Sequence, residues 1–226
     1  MIIFENITTE NFESVTFNIE AGSICKIIAG SNYEKKALLD VMLGMKKPSG
    51  GRVFLSGKDL YSISESESYK IFKKTGMVWH DGMLISNLKI WENIILPVWY
   101  HNGKRPEDVE TRVMEIFRAL GIDDKKLSEY MGKLPGYVPA REKRLIGFAR
   151  AVLMEPDLMI YDALFEEMDQ ATAERLREFT IAFHAQKPAQ NHKRTSVYVS
   201  ANEQSLKDIK ADTVLIQEGK GFRLWQ

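Results

Sequence analysis

The chain has 226 residues, 44% hydrophobic and 27% charged, an ordinary globular composition with enough length for one large domain and a sizeable core. Its 31 basic and 31 acidic side chains cancel, which excludes a global field that would gather nucleic acid or an anionic membrane. A single cysteine, Cys25, excludes an internal disulfide, fits a reducing compartment, and in an apolar strand reads as a core thiol. The opening Met1-Ile2-Ile3-Phe4-Glu5 has no signal-peptide pattern, and the apolar runs at 94–100 and 158–165 are too short to span a bilayer. The expected location is cytoplasmic, at most peripheral to the inner face of a membrane through a bound partner.

In chain order, residues 2–7 and 14–20 read as half-exposed antiparallel strands, and 23–29 as a short, non-alternating strand buried on both faces. A helix is expected over 36–43, then a half-exposed strand at 51–56 and a buried one at 76–79. Residues 81–140 break the alternation and predict a mostly helical insert. There Pro106, Glu107 and Asp108 make a helix start, and Val109, Val113, Ile116, Phe117 and Leu120 form one apolar stripe. A helix over 142–154, the strand Leu158–Asp162 and a helix over 172–184 follow. Residues 187–194 read as an exposed basic loop, and strands are expected at 196–200, 213–217 and 219–225. The fold class is α/β, a mixed sheet with an antiparallel β edge.

Residues 29–36 read Ala-Gly-Ser-Asn-Tyr-Glu-Lys-Lys, where a strand–loop–helix phosphate-binding motif, G-x-x-x-x-G-K-[ST], would lie. Ala29 and Glu34 stand in the two glycine slots, Lys35 in the lysine slot and Lys36 in the magnesium-hydroxyl slot. A one-residue shift would use Gly30, Lys36 and Ala37, again without the hydroxyl. The distance to Gly44 favours Lys35.

The later landmarks are collinear: Lys47-Pro48-Ser49-Gly50-Gly51-Arg52-Val53, Gly57-Lys58-Asp59-Leu60, Met77-Val78-Trp79-His80-Asp81, Trp91-Glu92-Asn93-Ile94 and Ala149-Arg150-Ala151. After them come Glu155-Pro156-Asp157-Leu158-Met159-Ile160-Tyr161-Asp162, Met168-Asp169 and Ala211-Asp212. This series resembles the nucleotide-binding domain of ABC transporters over nearly the whole chain, as a degenerate member. Residues 93–103 are similar to the subgroup serving lipid or lipoprotein export and cell division.

The resemblance implies an ABC-type P-loop NTPase-like fold, with a core lobe at 1–80 and 141–226 and a helical subdomain at about 81–140. It implies a vestigial nucleotide site at Asn32, Lys35, Lys36 and Asp162, with Asp162 as the magnesium-facing acid. The water-orienting glutamate is replaced by Ala163, and Glu166 and Glu167 are taken as solvated turn residues. The signature-equivalent residues are Val138, Pro139, Ala140, Arg141 and Glu142, where Pro139 removes a hydroxyl and an N–H. Arg141 reads as a solvent-exposed helix-start residue, or else as a cation reaching a partner's nucleotide. His80 takes the Q-loop position, in a structural role since no second His or Cys stands at a ligand-like spacing, and Ala201 takes the switch position. Phe12 offers an aromatic in the adenine segment but reads as core.

The expectation is therefore no catalytic residue and no metal site. No cofactor is expected, although weak ATP and Mg²⁺ binding through Lys35 and Asp162 stays open. Implied partners are a membrane permease, docked on a groove lined by 80–84 and 91–100, and a second cassette in a homodimer or heterodimer with an ABC ATPase. Nucleic acid is not among them. Two alternatives stand beside this: a weakly ATP-binding or hydrolysing transporter subunit, and a soluble regulatory or scaffold pseudo-ATPase.

Overall fold

A computed structural model describes residues 1–102, 106–186 and 193–225. Strands β1 (Ile2–Thr8), β2 (Val15–Ile19), β4 (Gly50–Leu55) and the two-residue β5 (Lys58–Asp59) form an antiparallel sheet in the order β2-β1-β4-β5. In β2 the apolar Val15, Phe17 and Ile19 are buried while Thr16 and Asn18 face solvent, the alternation of a sheet covered on one side. The second sheet has the order β10-β9-β3-β8-β7-β6, from β3 (Ile24–Ile28), β6 (Thr75–Val78), β7 (Leu158–Asp162), β8 (Thr195–Ser200), β9 (Thr213–Glu218) and β10 (Gly221–Trp225). Its ladders are parallel except at the edge strand β10. Every residue of β7 and β8 is buried, because both faces of this sheet are covered.

Alternate side chains of the central strands supply two cores. Leu158 and Ile160 of β7, with Cys25, Ile27, Val197 and Val199, pack toward the antiparallel sheet and α1 (Asn32–Met42). Met159 and Tyr161 pack the other way, against α3 (Ile90–Asn102), α4 (Pro106–Ala119), α6 (Ala140–Leu153) and α7 (Gln170–Ala185). The 81–140 stretch carries α3, α4 and α5 (Asp124–Met131). The α4 stripe of Val109, Val113, Ile116 and Phe117, continued by Leu120, is buried. An unanticipated helix, α2 (Glu65–Phe72), starts on a capping box made by Ser64 and Glu67. No helix of the described residues is long and apolar enough to cross a membrane.

The expected basic loop needs a correction at its end. Residues 187–192 lie outside the described residues, but Arg194 is buried rather than solvated. Its guanidinium donates to the carbonyls of Pro156 (2.8 Å) and Phe183 and lies 3.5 Å from the Phe183 ring centroid. It thus satisfies carbonyls near the end of α7 that the helix leaves unpaired.

Burial raises the Cys25 thiol to about 12, since no counter-charge repays desolvation of a thiolate there. Native protein at pH 8 is expected to resist iodoacetamide, and urea-unfolded protein to react fully. Mass spectrometry reads both, and native labelling at the unfolded rate would contradict the packing.

Candidate functional site

The parallel strands β3, β6 and β7 end on one side of the sheet, where Lys35 of α1 (after β3) and His80 (after β6) meet Asp162, the last residue of β7. The first loop is shorter than expected. Helix α1 begins at Asn32, four residues before the predicted start, so Asn32, Tyr33, Glu34 and Lys35 are helical and not a loop. Ser31 is the reason: its extended backbone opens the helix, and its hydroxyl accepts the Glu34 amide at 3.2 Å and donates to Glu34 Oε2 at 2.8 Å. Gln217 of β9 closes the arrangement, donating to Glu34 Oε1 at 2.6 Å and accepting the Gly30 amide at 2.9 Å. The Glu34 carboxylate lies over Gly30, where an added Cβ would meet Oε2 at 2.8 Å. None of residues 29–36 has a positive φ, so the positive-φ turn that converges backbone amides into an anion nest is not formed.

The two lysines part company on α1. Lys36 faces outward and pairs with Asp40, 2.6 Å away. Lys35 is 4% exposed and places Nζ 2.7 Å from Asp162 Oδ1. The contact is an ion pair whose angles fall outside hydrogen-bond geometry, so Oδ1 has no aligned donor. The other oxygen, Oδ2, takes His80 Nδ1 at 2.8 Å and the His80 backbone amide at 3.3 Å. A carboxylate only accepts, so the imidazole donates Nδ1–H.

Arg144 of α6 is the residue that the sequence reading missed. Its buried guanidinium donates to the carbonyls of His80 (2.5 Å), Ala163 (3.3 Å) and Glu166. Desolvation lowers its pKa, opposed by Glu167, Glu166, Asp162 and Asp81. Nothing in the run Arg141-Glu142-Lys143-Arg144 marks the last arginine as the one turned inward. Glu166 is half-buried and accepts from Ser200 Oγ at 2.5 Å, a bond that the expected solvated turn did not include. Glu167 is exposed. A cavity of about 400 Å³ opens among these groups, lined by three cations (Lys35, Lys36, Arg144) and five carboxylates (Asp40, Asp81, Asp162, Glu166, Glu167), with Asn32, Met45, Trp79, His80, Met83 and Ala163.

The other expected positions lie apart. Pro139 caps α6 without a side-chain bond, and Val138 is buried. Ala140 opens the helix. Arg141 is tied within its own chain, to Asp169 at 2.5 Å and Glu142 at 3.2 Å, instead of standing free. Glu142 is 5% exposed. Burial pushes its carboxyl up, but hydrogen bonds from Lys126 and Arg141 outweigh this and hold it below the usual carboxylate range. Ala201 lines a different cavity, with Lys26, Asn202 and Glu203, and is not among the residues lining the cavity at Asp162. Phe12 is core, 5.7 Å from the Phe222 ring.

A sequence profile of the ABC transporter family matches residues 12–166. Over 208 residues the chain is 26% identical to the methionine import ATP-binding protein MetN of Rhizobium meliloti, covering 92% of this chain and 55% of that protein. It is 25% identical over 177 residues to a probable ribonucleotide transport ATP-binding protein, mkl, of Mycobacterium leprae, covering 77% and 49%. The chain thus spans about half the length of the curated relatives it matches. The fold superposes on a dimeric structure of the ATP-binding cassette MJ0796 bound to ADP and phosphate with a TM-score of 0.83, at 19% identity, covering 100% of this chain and 98% of that one. It also superposes on cbiO1 of Clostridium perfringens with a TM-score of 0.71, at 18% identity, covering 98% and 86%. The collinear motifs, the parallel sheet with its site at the strand ends, and the profile match agree: this chain belongs to the ABC transporter family, with the fold of its nucleotide-binding domain.

Proposed function

We propose that this chain is a non-hydrolysing cassette subunit, seated on the cytoplasmic side of a membrane permease and paired with a second cassette. The observation that carries the first part is the buried Lys35–Asp162 ion pair. In a nucleotide-hydrolysing site a lysine serves phosphate and an aspartate serves Mg²⁺; here each serves the other. The residues present fit Mg-ATP poorly: a capped helix replaces the amide cradle, Glu34 lies over Gly30, and Lys36 replaces the hydroxyl. Five carboxylates against three cations also disfavour a triphosphate. Ala163 supplies no carboxylate to orient water. Asn32, Lys35, Lys36 and Asp162 are therefore a vestigial nucleotide site.

The second part draws support from relatives named as transport ATP-binding proteins. It draws more from exposed apolar side chains beside the site and on the 81–140 lobe: Met83, Ile85, Trp99 and Tyr100. Large aromatics of this kind suit the anchors of a protein interface.

Two measurements on the purified chain test the reading. Mg-ATP turnover is expected to be undetectable, and Ala163→Glu is expected not to create it, because a restored base has no cradled phosphate to act on. Turnover that Lys35→Ala abolishes would overturn the proposal. A binding-competent site at 100-fold excess of ATP over Kd would stabilise the chain by about 2.7 kcal/mol, roughly 5–10 °C for a domain of this size. The expected shift is below about 1 °C, and the larger shift would support the weakly ATP-binding alternative.

A further inference from the structure

The loop from β6 to α3 leaves the site at Trp79 and reaches the helical lobe at Ile90, and its polar backbone is bonded along most of that path. At the site, Asp162 holds His80 by ring and amide, and Arg144 takes the His80 carbonyl. Next along the loop, the Gly82 amide bonds Trp79 O at 2.9 Å, and Asp81 accepts the Met83 amide at 3.1 Å. Arg150 of α6 donates to the carbonyls of Gly82 and Met83 at 2.8 and 2.9 Å. At the far end the buried Asn93 side chain accepts the Ile85 amide at 2.7 Å and donates to the carbonyls of Ile85, Leu88 and Lys89. The loop also lies hard against α6, where an added Cβ on Gly82 would meet Lys143 O at 2.2 Å. All of these partners belong to the chain itself.

We propose that residues 79–85 form a strut whose position is set without nucleotide, with His80 the positioning residue that ties it to Asp162. The loop presents Met83 and Ile85 to solvent, so the strut keeps that surface in one arrangement whatever the nucleotide state. Only the use made of this surface rests on the permease-docking reading above. Its rigidity rests on the bonds themselves: hydrogen bonds to charged groups are the stronger ones, and local opening requires that they break together.

Hydrogen–deuterium exchange on the full chain tests this, with Mg-ATP as the added probe. In the native protein the bonded amides of His80, Gly82, Met83 and Ile85 are expected to exchange slowly and at the same rate with and without Mg-ATP. His80→Ala is expected to speed their exchange about tenfold or more, and the melting temperature to move little because the imidazole is largely exposed. His80→Asn, whose amide can donate to Asp162, is expected to recover most of the protection, which a merely space-filling role would not produce. Fast exchange in the native chain, a change on adding Mg-ATP, or no effect of His80→Ala would each overturn the strut. Turnover with unchanged protection would overturn the non-hydrolysing reading and leave the strut standing.

Discussion

Replacing Asp162 by asparagine is expected to destabilise the chain by about 3–5 kcal/mol, the range for breaking a buried ion pair by removing one partner. The variant keeps the shape but leaves the Lys35 ammonium in a site where its side chain is only 6% exposed. Lys35→Met is expected to cost less, since His80 still donates to the remaining carboxylate. The double variant Lys35→Met with Asp162→Leu is expected to recover most of the loss, because well-packed apolar replacements of a buried pair are often neutral or better. With Asp162→Leu as the matching single variant, urea unfolding of the parent, Lys35→Met, Asp162→Leu and the double variant closes a double-mutant cycle with a strong favourable coupling between the two residues. A cost under about 1 kcal/mol for Asp162→Asn would mean that the pair is solvated and that the site is open to a ligand.

The reach of the sequence can be judged on this same cluster. The central strands were legible because strands covered on both faces are continuous apolar runs, and Leu158–Asp162 was placed without error. The half-exposed strands were legible by alternation, as in β2, although their assembly into a sheet of their own depends on pairings that alternation does not encode. The start of α1 was missed for a specific reason. Ser31 and Glu34 have the spacing of an N-cap and its third helical residue, a local signal that the comparison with a phosphate loop overrode. Capping chemistry won, and it removed the loop. Arg144 and Arg194 were not legible at all: composition marks arginine as a surface residue, and only the fold reveals the orphan carbonyls that repay burying a guanidinium. Asp162 and Lys35 were each placed by motif position, but that they would meet follows from α1 starting early and carrying Lys35 on its inner face.

Gly82→Ala is the second large effect, and it follows from a crossing of two backbones. Gly82 has φ +79°, a conformation that costs a side-chain-bearing residue about 1–2 kcal/mol. Its new Cβ would also stand 2.2 Å from Lys143 O and 3.1 Å from Arg144 N. Both are backbone atoms of α6 and cannot swing aside as a side-chain tip would, so overpacking adds about 1–3 kcal/mol. The expected loss in urea unfolding is therefore about 2–5 kcal/mol. Gly147 of α6 faces the same contact from the other side, where a Cβ would meet Gly82 O at 2.8 Å. Its φ is helical, so Gly147→Ala lacks the conformational part and is expected to cost about 1–3 kcal/mol. Because each substitution pushes the same crossing apart, the double variant is expected to cost less than the sum. Separation of the loop from α6 would also pull Gly82 O and Met83 O off Arg150, so the bonded amides of His80, residue 82, Met83 and Ile85 should lose protection in Gly82→Ala. Stability within about 0.5 kcal/mol of the parent would show that the crossing yields, and the strut would lose the steric half of its support.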